Sequence, residues 1–351
     1  MSASVLERLR HLPAAVHFSA QYRTGALRAD RRLARLARGD GPIVAGPFRS
    51  EIGFEVLYWI PLLRWFVETY DVDPRRIVAV SRGGPESWYR DVAGGYADIF
   101  DHFSPAELKA WHTRQLEATG SQKQLAFSET DRAIVERVSH ASGLENPAVL
   151  HPSLMYGLFR AYFAGHQPIA TVLRRTSFRP LPDPGPAPDL PDDYVAVKVY
   201  YSACFPETPE NRRFTAELIA RLVATRDVVL LTTNLDLDDH RDYDAGAAER
   251  VRTIDDLVTP RNNLDLQTRV IAGARGLVTT YGGFAYLGPF LGVPSCAFHS
   301  NERYIAGHLA VMRRATNDLR ESGANVGFTA LPAAELPLVD DLLWPASTVL
   351  R

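Results

Sequence analysis

One short segment near residue 50 carries three side chains suited to proton transfer and charge stabilisation. Arg49, Glu51 and Glu55 lie within seven residues of one another, after a short apolar run that ends at Gly46. Residues four apart share one face of a helix, so we expect the two glutamates on one side. Glu55 has apolar neighbours on both sides, and desolvation would raise its pKa toward the range of a general base. The alternative for either glutamate is an N-terminal helix cap.

A second segment has the composition of a phosphate-binding turn. An apolar run leads into Tyr281, Gly282 and Gly283, and an aromatic-rich stretch typical of a helix follows. Glycines allow close backbone approach, and the free N–H groups of a helix start attract anions. The lysine and hydroxyl of a Walker loop do not follow, nor does the three-glycine dinucleotide fingerprint. The segment predicts a phosphate cradle, and glycines used only for packing are the alternative.

Lys198 is unusual because this chain avoids lysine. Only three of the 39 basic residues are lysines, and this one lies among the valines of an apolar strand. A buried ammonium is costly without a partner. The partner is either an acidic neighbour in an ion pair or a phosphate of a ligand.

Further polar and aromatic residues follow other predicted strands. They fit ligand contacts, but also turns, caps and core packing. The donor-side candidates are Tyr200, Ser202, Thr232, Asn234, His299 and Glu302, and the acceptor-side candidates are Arg82, Trp88 and Tyr89.

The pattern of elements predicts two α/β domains. Strands at 42–45 and 77–81 flank a helix over 51–70, which is a βαβ unit with a parallel sheet. Beyond residue 193, Val/Leu-rich strands alternate with helices, which is typical of a doubly wound, Rossmann-like domain. Between them, six of the 24 prolines fall within residues 180–191, which predicts an extended linker. Ser104-Pro105-Ala106-Glu107 predicts a helix start.

These signals divide the chain into five parts. We expect a basic helical segment (1–40), an acceptor-side domain (41–175), the linker (176–192), a nucleotide-sugar-binding domain (193–331) and a tail (332–351). In the first part, Arg28, Arg31, Arg32 and Arg35 fall largely on one side of a helix over 26–38. That side fits an anionic membrane surface, or it is only a solvated surface of the domain.

Composition limits the possible functions. The 351 residues carry a net charge of −2, which does not indicate nucleic-acid binding, and two cysteines cannot form a zinc site alone. They fit buried thiols of a reducing compartment. No apolar run approaches the length of a membrane span, and the N-terminus lacks a signal-peptide core. We therefore expect a cytoplasmic protein, with the inner membrane face as a peripheral location.

Residues 276–298 and 46–61 resemble segments of GT-B glycosyltransferases, heptosyltransferase-like and fucosyltransferase-like enzymes among them. The resemblance extends in outline over residues 41–100 and 193–300. It implies two Rossmann-like domains facing across a cleft, and sugar transfer from a nucleotide-sugar donor to a glycan or lipid-linked acceptor in bacterial polysaccharide assembly. The Glu-x7-Glu pattern of many retaining enzymes is missing, which leaves the stereochemistry open. No Asp-x-Asp lies between the domains, so we expect no metal and no cofactor.

Three other functions fit the same features. Two are catalytic, a nucleotide-sugar epimerase and a pyruvyl-type transferase. The third is a non-catalytic subunit that binds a glycan or a partner enzyme.

Overall fold

The structure, a computed structural model, describes residues 24–120, 123–233, 235, 241–243, 249–302, 306–324 and 326–338. Of the predicted site residues, Asn234 lies outside the described residues. The same holds for most of the predicted tail, for residues 236–239 and for the first 23 residues of the basic segment.

The N-terminal domain is built on a sheet of four parallel strands. They are β1 (Ile43–Ala45), β2 (Ile77–Ser81), β3 (Gly95–Asp98) and β4 (Ala148–Leu150), in the spatial order β3-β2-β1-β4. The predicted βαβ unit is confirmed, because β1 and β2 pair in parallel around the helix that connects them. Sequence analysis missed β3 and β4, which are short and carry no long apolar run.

Helices cover this sheet. They are α1 over 24–38, α2 (Ile52–Phe54), a π-helix (Glu55–Trp59), α3 (Ile60–Tyr70), α4 (Pro105–Thr119), α5 (Glu129–Ala141), α6 (Ser153–Phe163) and α7 (Ala170–Leu173). The segments over 52–70 form the continuous helix that the sequence predicts, except that its second segment is a π-helix. The predicted start of α4 is confirmed, because Ser104 and Glu107 form a capping box.

The C-terminal domain has six parallel strands. They are β5 (Tyr194–Lys198), β7 (Asp227–Leu230), β9 (Val251–Thr253), β10 (Gly276–Thr280), β11 (Ser295–His299) and β12 (Phe328–Pro332), in the order β12-β11-β10-β5-β7-β9. Two further strands, β6 (Tyr200–Tyr201) and β8 (Arg241–Asp242), form a small antiparallel ribbon. The helices are α8 (Pro209–Thr225), α9 (Asn263–Gly273), α10 (Gly283–Phe290) and α11 (Ala306–Glu321). This strand order is that of the Rossmann fold, and the predicted α/β architecture of two Rossmann-like domains is confirmed.

The strands of the C-terminal sheet are covered on both faces, as their apolar composition predicts. Val195 and Val197 face α8, where they pack with Leu218 and Leu222. The alternate residues, Ala196 among them, belong to a second cluster with α9, α10 and α11. That second cluster continues into the N-terminal domain, so one apolar core spans both domains.

The proline-rich segment carries neither helix nor strand and lies against both domains. Arg64 of α3 donates to the carbonyls of Arg179 and Pro180, at 2.6 and 3.0 Å. The N–H of Leu181 donates to the carbonyl of Phe290 at the end of α10 (2.7 Å). Residues 179–181 are therefore tied to both domains through their backbone groups.

The end of the C-terminal domain differs from the prediction. The expected boundary at residue 331 cuts through β12, which sequence analysis did not identify, and Leu336 beyond it is buried in the C-terminal core. The strand was missed because its residues are only half-buried and its apolar run is short.

Candidate active site

The two sheets present their carboxyl edges to each other. In open α/β sheets, ligands bind beyond that edge, at the point where the strand order reverses direction. In the C-terminal sheet this switch point lies between β5 and β10, and in the N-terminal sheet between β1 and β4. Lys198 ends β5, the Tyr281-Gly282-Gly283 turn follows β10, and the loop with Arg49 and Glu51 follows β1. These predicted segments therefore follow the strands that flank the two switch points.

The two switch points touch through a pair of glycines. A Cβ on Gly283 would lie 2.6 Å from the backbone nitrogen of Gly53 and 3.1 Å from the Cβ of Ile52. A Cβ on Gly53 would lie 3.1 Å from the Cα of Gly283 and 3.2 Å from the ring of Tyr286. Only residues without a side chain allow α2 and the start of α10 to approach this closely.

Hydrogen bonds extend this contact on both sides. The carbonyl of Gly83, after β2, accepts from the N–H groups of Leu264 and Asp265 at the start of α9, at 2.7 and 3.1 Å. On the other side, the Tyr58 hydroxyl lies 2.7 Å from Nδ1 of His308 in α11. We call this region the seam, defined by Gly53, Gly83, Gly283, Tyr58 and His308. Three helix starts of the C-terminal domain meet the N-terminal domain along it.

Lys198 has the acidic partner that the ion-pair alternative requires. Its Nζ lies 2.8 Å from Asp242 and donates to the carbonyl of Leu231 at 2.6 Å. It also lies 5.3 Å from the centre of the Phe284 ring, at the start of α10. The ammonium is thus held beside the glycine turn by two oxygens.

The glycine turn is tightly enclosed on its own side as well. A Cβ on Gly282 would collide with the hydroxyl of Tyr200, so this position excludes any side chain. Tyr200 is buried, whereas Ser202 and Thr232 are half-buried. Thr232 lines a small open depression together with Lys198 and Tyr243. Several predicted donor-side residues therefore lie around one corner of the C-terminal sheet.

His299 ends β11 and packs edge-on against Tyr281, with ring centres 6.3 Å apart. Burial lowers the pKa of His299, and the nearby Glu302 opposes this. The residues after His299 are anchored, because the N–H groups of Ser300 and Asn301 donate to the carbonyl of Cys204. Glu302, three residues after His299, is exposed.

Glu51 and Glu55 do not share a face, contrary to the prediction. Glu51 is exposed and precedes the helix, whereas Glu55 is 0% exposed inside the domain. Glu51 precedes the first helical residue and has an extended backbone, so its side chain is not on the helix face that carries Glu55. Burial raises the pKa of the Cys204 thiol in the C-terminal domain, and the charge of Glu51 raises it further. Glu51 directly precedes Ile52 and Gly53, the residues that contact Gly283, so it lies at the edge of the seam.

Glu55 has the desolvated environment that its neighbours predict. Burial raises the pKa of Glu55, while Arg82 and the hydroxyls of Ser81 and Tyr89 oppose this rise. Both hydroxyls donate to Oε1, the one of Ser81 at 2.5 Å. Because the carboxyl is wholly enclosed, it does not face the seam, and the expectation that it meets an acceptor is not met in this structure.

Arg49 belongs to a buried network of the N-terminal domain. Its Nε donates to Asp131 at 2.9 Å, and Nε2 of His151 lies 3.3 Å from the same carboxylate. Although burial acts in the opposite direction, His151 and Arg49 hold the pKa of Asp131 well below its usual range. Arg49 thus has an internal partner, and its side chain is 3% exposed. Its placement fits a structural ion pair better than a catalytic group.

The acceptor-side candidates also lie inward. Trp88 is fully buried, and its Nε1–H donates to the hydroxyl of Thr268 in α9 at 3.0 Å. The hydroxyl of Tyr89 donates a hydrogen bond to Glu55. Their placement agrees with core packing, the alternative to stacking on a sugar. Arg82 lies 3.5 Å from Glu55 and donates to the carbonyl of Ser50.

Sequence reasoning missed three participants. Asp242 pairs with Lys198 from 44 positions away, and Tyr58 and His308 meet across 250 positions. No local pattern marks such pairs. The burial of Lys198 was the one signal that demanded an acidic partner.

Over the described ranges, no group of three or more His, Cys, Asp and Glu side chains is arranged to hold a metal ion. None of the described helices combines the length and the apolar character needed to cross a bilayer.

Solved glycosyltransferases have similar structures. A heptosyltransferase of E. coli, WaaC with ADP, matches at 14% identity with a TM-score of 0.43, over 85% of this chain and 96% of that one. The E. coli ADP-heptose LPS heptosyltransferase II matches at 12% identity with a TM-score of 0.44, over 86% of this chain and 98% of that one. A glycosyl transferase family 9 protein of Veillonella parvula matches at 12% identity with a TM-score of 0.41, over 86% of this chain and 88% of that one. No protein-family model matches the sequence, and no curated protein does either.

Proposed function

We propose that this protein is a glycosyltransferase with its active site at the seam. It would move a sugar from a nucleotide-sugar donor to a glycan or lipid-linked acceptor of bacterial polysaccharide assembly. The observation that carries the proposal is the meeting of two switch points: the glycine turn beside Lys198 faces the loop that carries Glu51. A donor and an acceptor held by opposite domains would meet there.

In this proposal the C-terminal domain holds the donor. The N–H groups at the start of α10 and the ammonium of Lys198 would stabilise the charge that develops on the leaving diphosphate. Phosphate oxygens would then compete with Asp242 for Lys198. His299 at the end of β11 and Glu302 after it would contact the sugar or the ribose.

Glu51 is the proposed general base. It is exposed, it belongs to the loop after β1, and it directly precedes the residues that contact Gly283. In an inverting reaction it would take the proton of the acceptor hydroxyl. Replacing Glu51→Gln should lower kcat by about 10²–10⁴-fold, the range for loss of a positioned base, and leave donor binding intact. Glu117→Gln, an exposed glutamate of α4, is the matched control.

A thermal-shift panel tests the donor site directly. UDP, GDP, ADP, dTDP and CMP are added without metal and then with magnesium, since a ligand of the folded state raises the melting temperature. One nucleotide should give a shift that Lys198→Met removes and that Lys109→Met, an exposed lysine of α4, retains. A flat panel would refute nucleotide-sugar binding.

Incubation with the donor alone separates sugar transfer from epimerisation. An epimerase changes the sugar without an acceptor, whereas a glycosyltransferase needs one. Nucleotide binding without turnover on any acceptor would favour a non-catalytic subunit.

The basic face of α1 is the proposed contact with an anionic membrane. Arg28, Arg31, Arg32 and Arg35 are exposed, beside Leu27 at 54% exposure, and Leu33 of the opposite face is buried in the core. Each basic residue near a charged bilayer contributes about 1 kcal/mol.

Liposome co-sedimentation measures this contact. Neutralising the four arginines should weaken binding to phosphatidylglycerol vesicles by roughly 10²–10³-fold. Neutralising Arg212, Arg213, Arg252 and Arg314 in the C-terminal domain should not. Equal binding by both variants would leave α1 as a surface helix only.

A further inference from the structure

Glu55 and Arg82 form a buried pair whose free ends are directed at each other. Oε2 of Glu55 and Nη1 of Arg82 lie 3.5 Å apart, and neither atom has a hydrogen-bond partner within the described part of the chain. The other oxygen of Glu55 accepts the hydroxyls of Ser81 and Tyr89. The carboxylate thus has one oxygen fixed by neutral donors and one facing a cation.

The other end of Arg82 reaches the loop after β1. Its Nη2 donates to the carbonyl of Ser50 at 2.5 Å, and the Ser50 hydroxyl lies 2.9 Å from that of Tyr156. Both backbone and side chain of Ser50 are therefore held. The next residue is Glu51, whose own side chain is exposed at the seam.

We propose that Glu55 and Arg82 are positioning residues that fix the Ser50 carbonyl and so direct the Glu51 carboxylate across the seam. This inference rests on the proposed role of Glu51 as general base. Glu55 is buried inside the domain, whereas Glu51 precedes the helix and is exposed, so each carboxylate has a separate task.

Charge balance explains why a buried acid is needed. Arg82 lies beside the loop of Glu51, and a guanidinium without a partner there would bind that carboxylate. Such an ion pair would lower the basicity of Glu51 and turn it away from an acceptor. Glu55 holds the guanidinium at the opposite side and leaves the Glu51 carboxylate available for a proton.

Cys204 reports the position of Glu51 without any substrate. Besides burial, the charge of Glu51 raises the pKa of its thiol, and the thiol in turn raises the pKa of Tyr281 after β10. Its alkylation rate is measured against pH with a small iodoacetamide reagent. The other cysteine, Cys296, is buried, and burial raises its pKa to about 12, so it does not compete.

Four variants form the test. Glu51→Gln should shift the Cys204 profile to lower pH, because a negative charge is removed. Glu55→Gln should give most of the same shift, and the double variant should add nothing to it. Tyr89→Phe removes a donor from the other oxygen of Glu55 and should leave the profile at the wild-type position. An unchanged profile in Glu55→Gln, or fully additive shifts, would overturn the proposal.

Arg82→Lys covers the case in which Glu55→Gln fails to fold. An ammonium keeps the charge near Glu55 but lacks the fork that also reaches Ser50. It should shift the Cys204 profile as Glu55→Gln does.

Turnover distinguishes this inference from the proposed function. If transfer occurs, Glu55→Gln should lower kcat by roughly 10²-fold, with the donor KM unchanged, because the base is misplaced and not removed. If the wild-type chain transfers no sugar, the proposed function fails. The alkylation profiles of Cys204 in the single and double variants still decide whether Glu55 and Arg82 position Glu51.

Discussion

Replacing Gly283→Ala should separate the two domains at the point where they touch. The new methyl group would lie 2.6 Å from the backbone nitrogen of Gly53 and 3.1 Å from the Cβ of Ile52. Normal carbon contacts begin near ~3.5 Å, so one side must move by roughly 0.5–1 Å. Neither neighbour is the end of a flexible side chain, so the movement has to come from α2 or from α10.

The cost follows from the overpacking of a rigid contact. Inserting a methyl group into a close-packed site destabilises by ~1–3 kcal/mol. For a protein of 351 residues each kcal/mol lowers the melting temperature by about 1–2 °C. Gly53→Ala is milder, since its closest contacts are 3.1 and 3.2 Å and one of them is the ring of Tyr286. The expected order of melting temperatures is wild type, then Gly53→Ala, then Gly283→Ala.

Gly157→Ala provides the matched control for these variants. Gly157 lies inside α6, and a Cβ there meets only Ala29 at 4.0 Å. That change should be neutral or stabilise by ~0.5–1 kcal/mol, because alanine is the better helix former. Calorimetric scans of the variants decide the matter. If Gly283→Ala melts at or above the wild-type temperature, the close approach of α2 and α10 is wrong.

Three further changes test the network around the seam. Asp131→Asn leaves Arg49 without its ionic partner and should lower the free energy of unfolding by ~3–5 kcal/mol at neutral pH, as measured by urea unfolding. Because the pKa of Asp131 is depressed, the wild type should lose its greater stability over this variant only below about pH 4. Burial lowers the pKa of His308 to about 4. The free energy of unfolding should therefore fall by about 1–3 kcal/mol as the pH is lowered from about 6.5 to 4. In His308→Gln the melting temperature should lose this dependence on pH. Lys198→Met leaves Asp242 without its cation and should lower the melting temperature whether or not a nucleotide is present.

Local patterns predicted most of the elements that position the site. Apolar runs, and the Gly and Pro residues that end them, are visible in the local sequence. Strands β1, β2, β5, β10 and β11 could therefore be predicted. The capping box at Ser104 is equally local. The parallel arrangement followed because helices alternate with strands. The strand ends therefore identified the correct edge of each sheet.

What failed depends on geometry that the sequence does not encode locally. The helix begins only after Glu51, whose backbone is extended, so the predicted shared face with Glu55 was wrong. Strand β12 is only half-buried, and its pattern is weak. The partner of Lys198 comes from a different strand, which only the folded sheet brings near. These are tertiary effects that override local preference.

The glycine turn raises the question of how a donor would reach it. Gly53 occupies one side of the turn, whereas Lys198 and the Phe284 ring line the side toward β5. If the donor enters from the Lys198 side with the seam closed, Gly283→Ala should leave nucleotide affinity unchanged. If the seam must open first, the closed contact competes with the ligand, and a variant that weakens it should bind the nucleotide more tightly. In both cases turnover should fall, because Glu51 reaches the donor only across a closed seam. Tighter nucleotide binding together with undiminished turnover would refute a catalytic role for this contact.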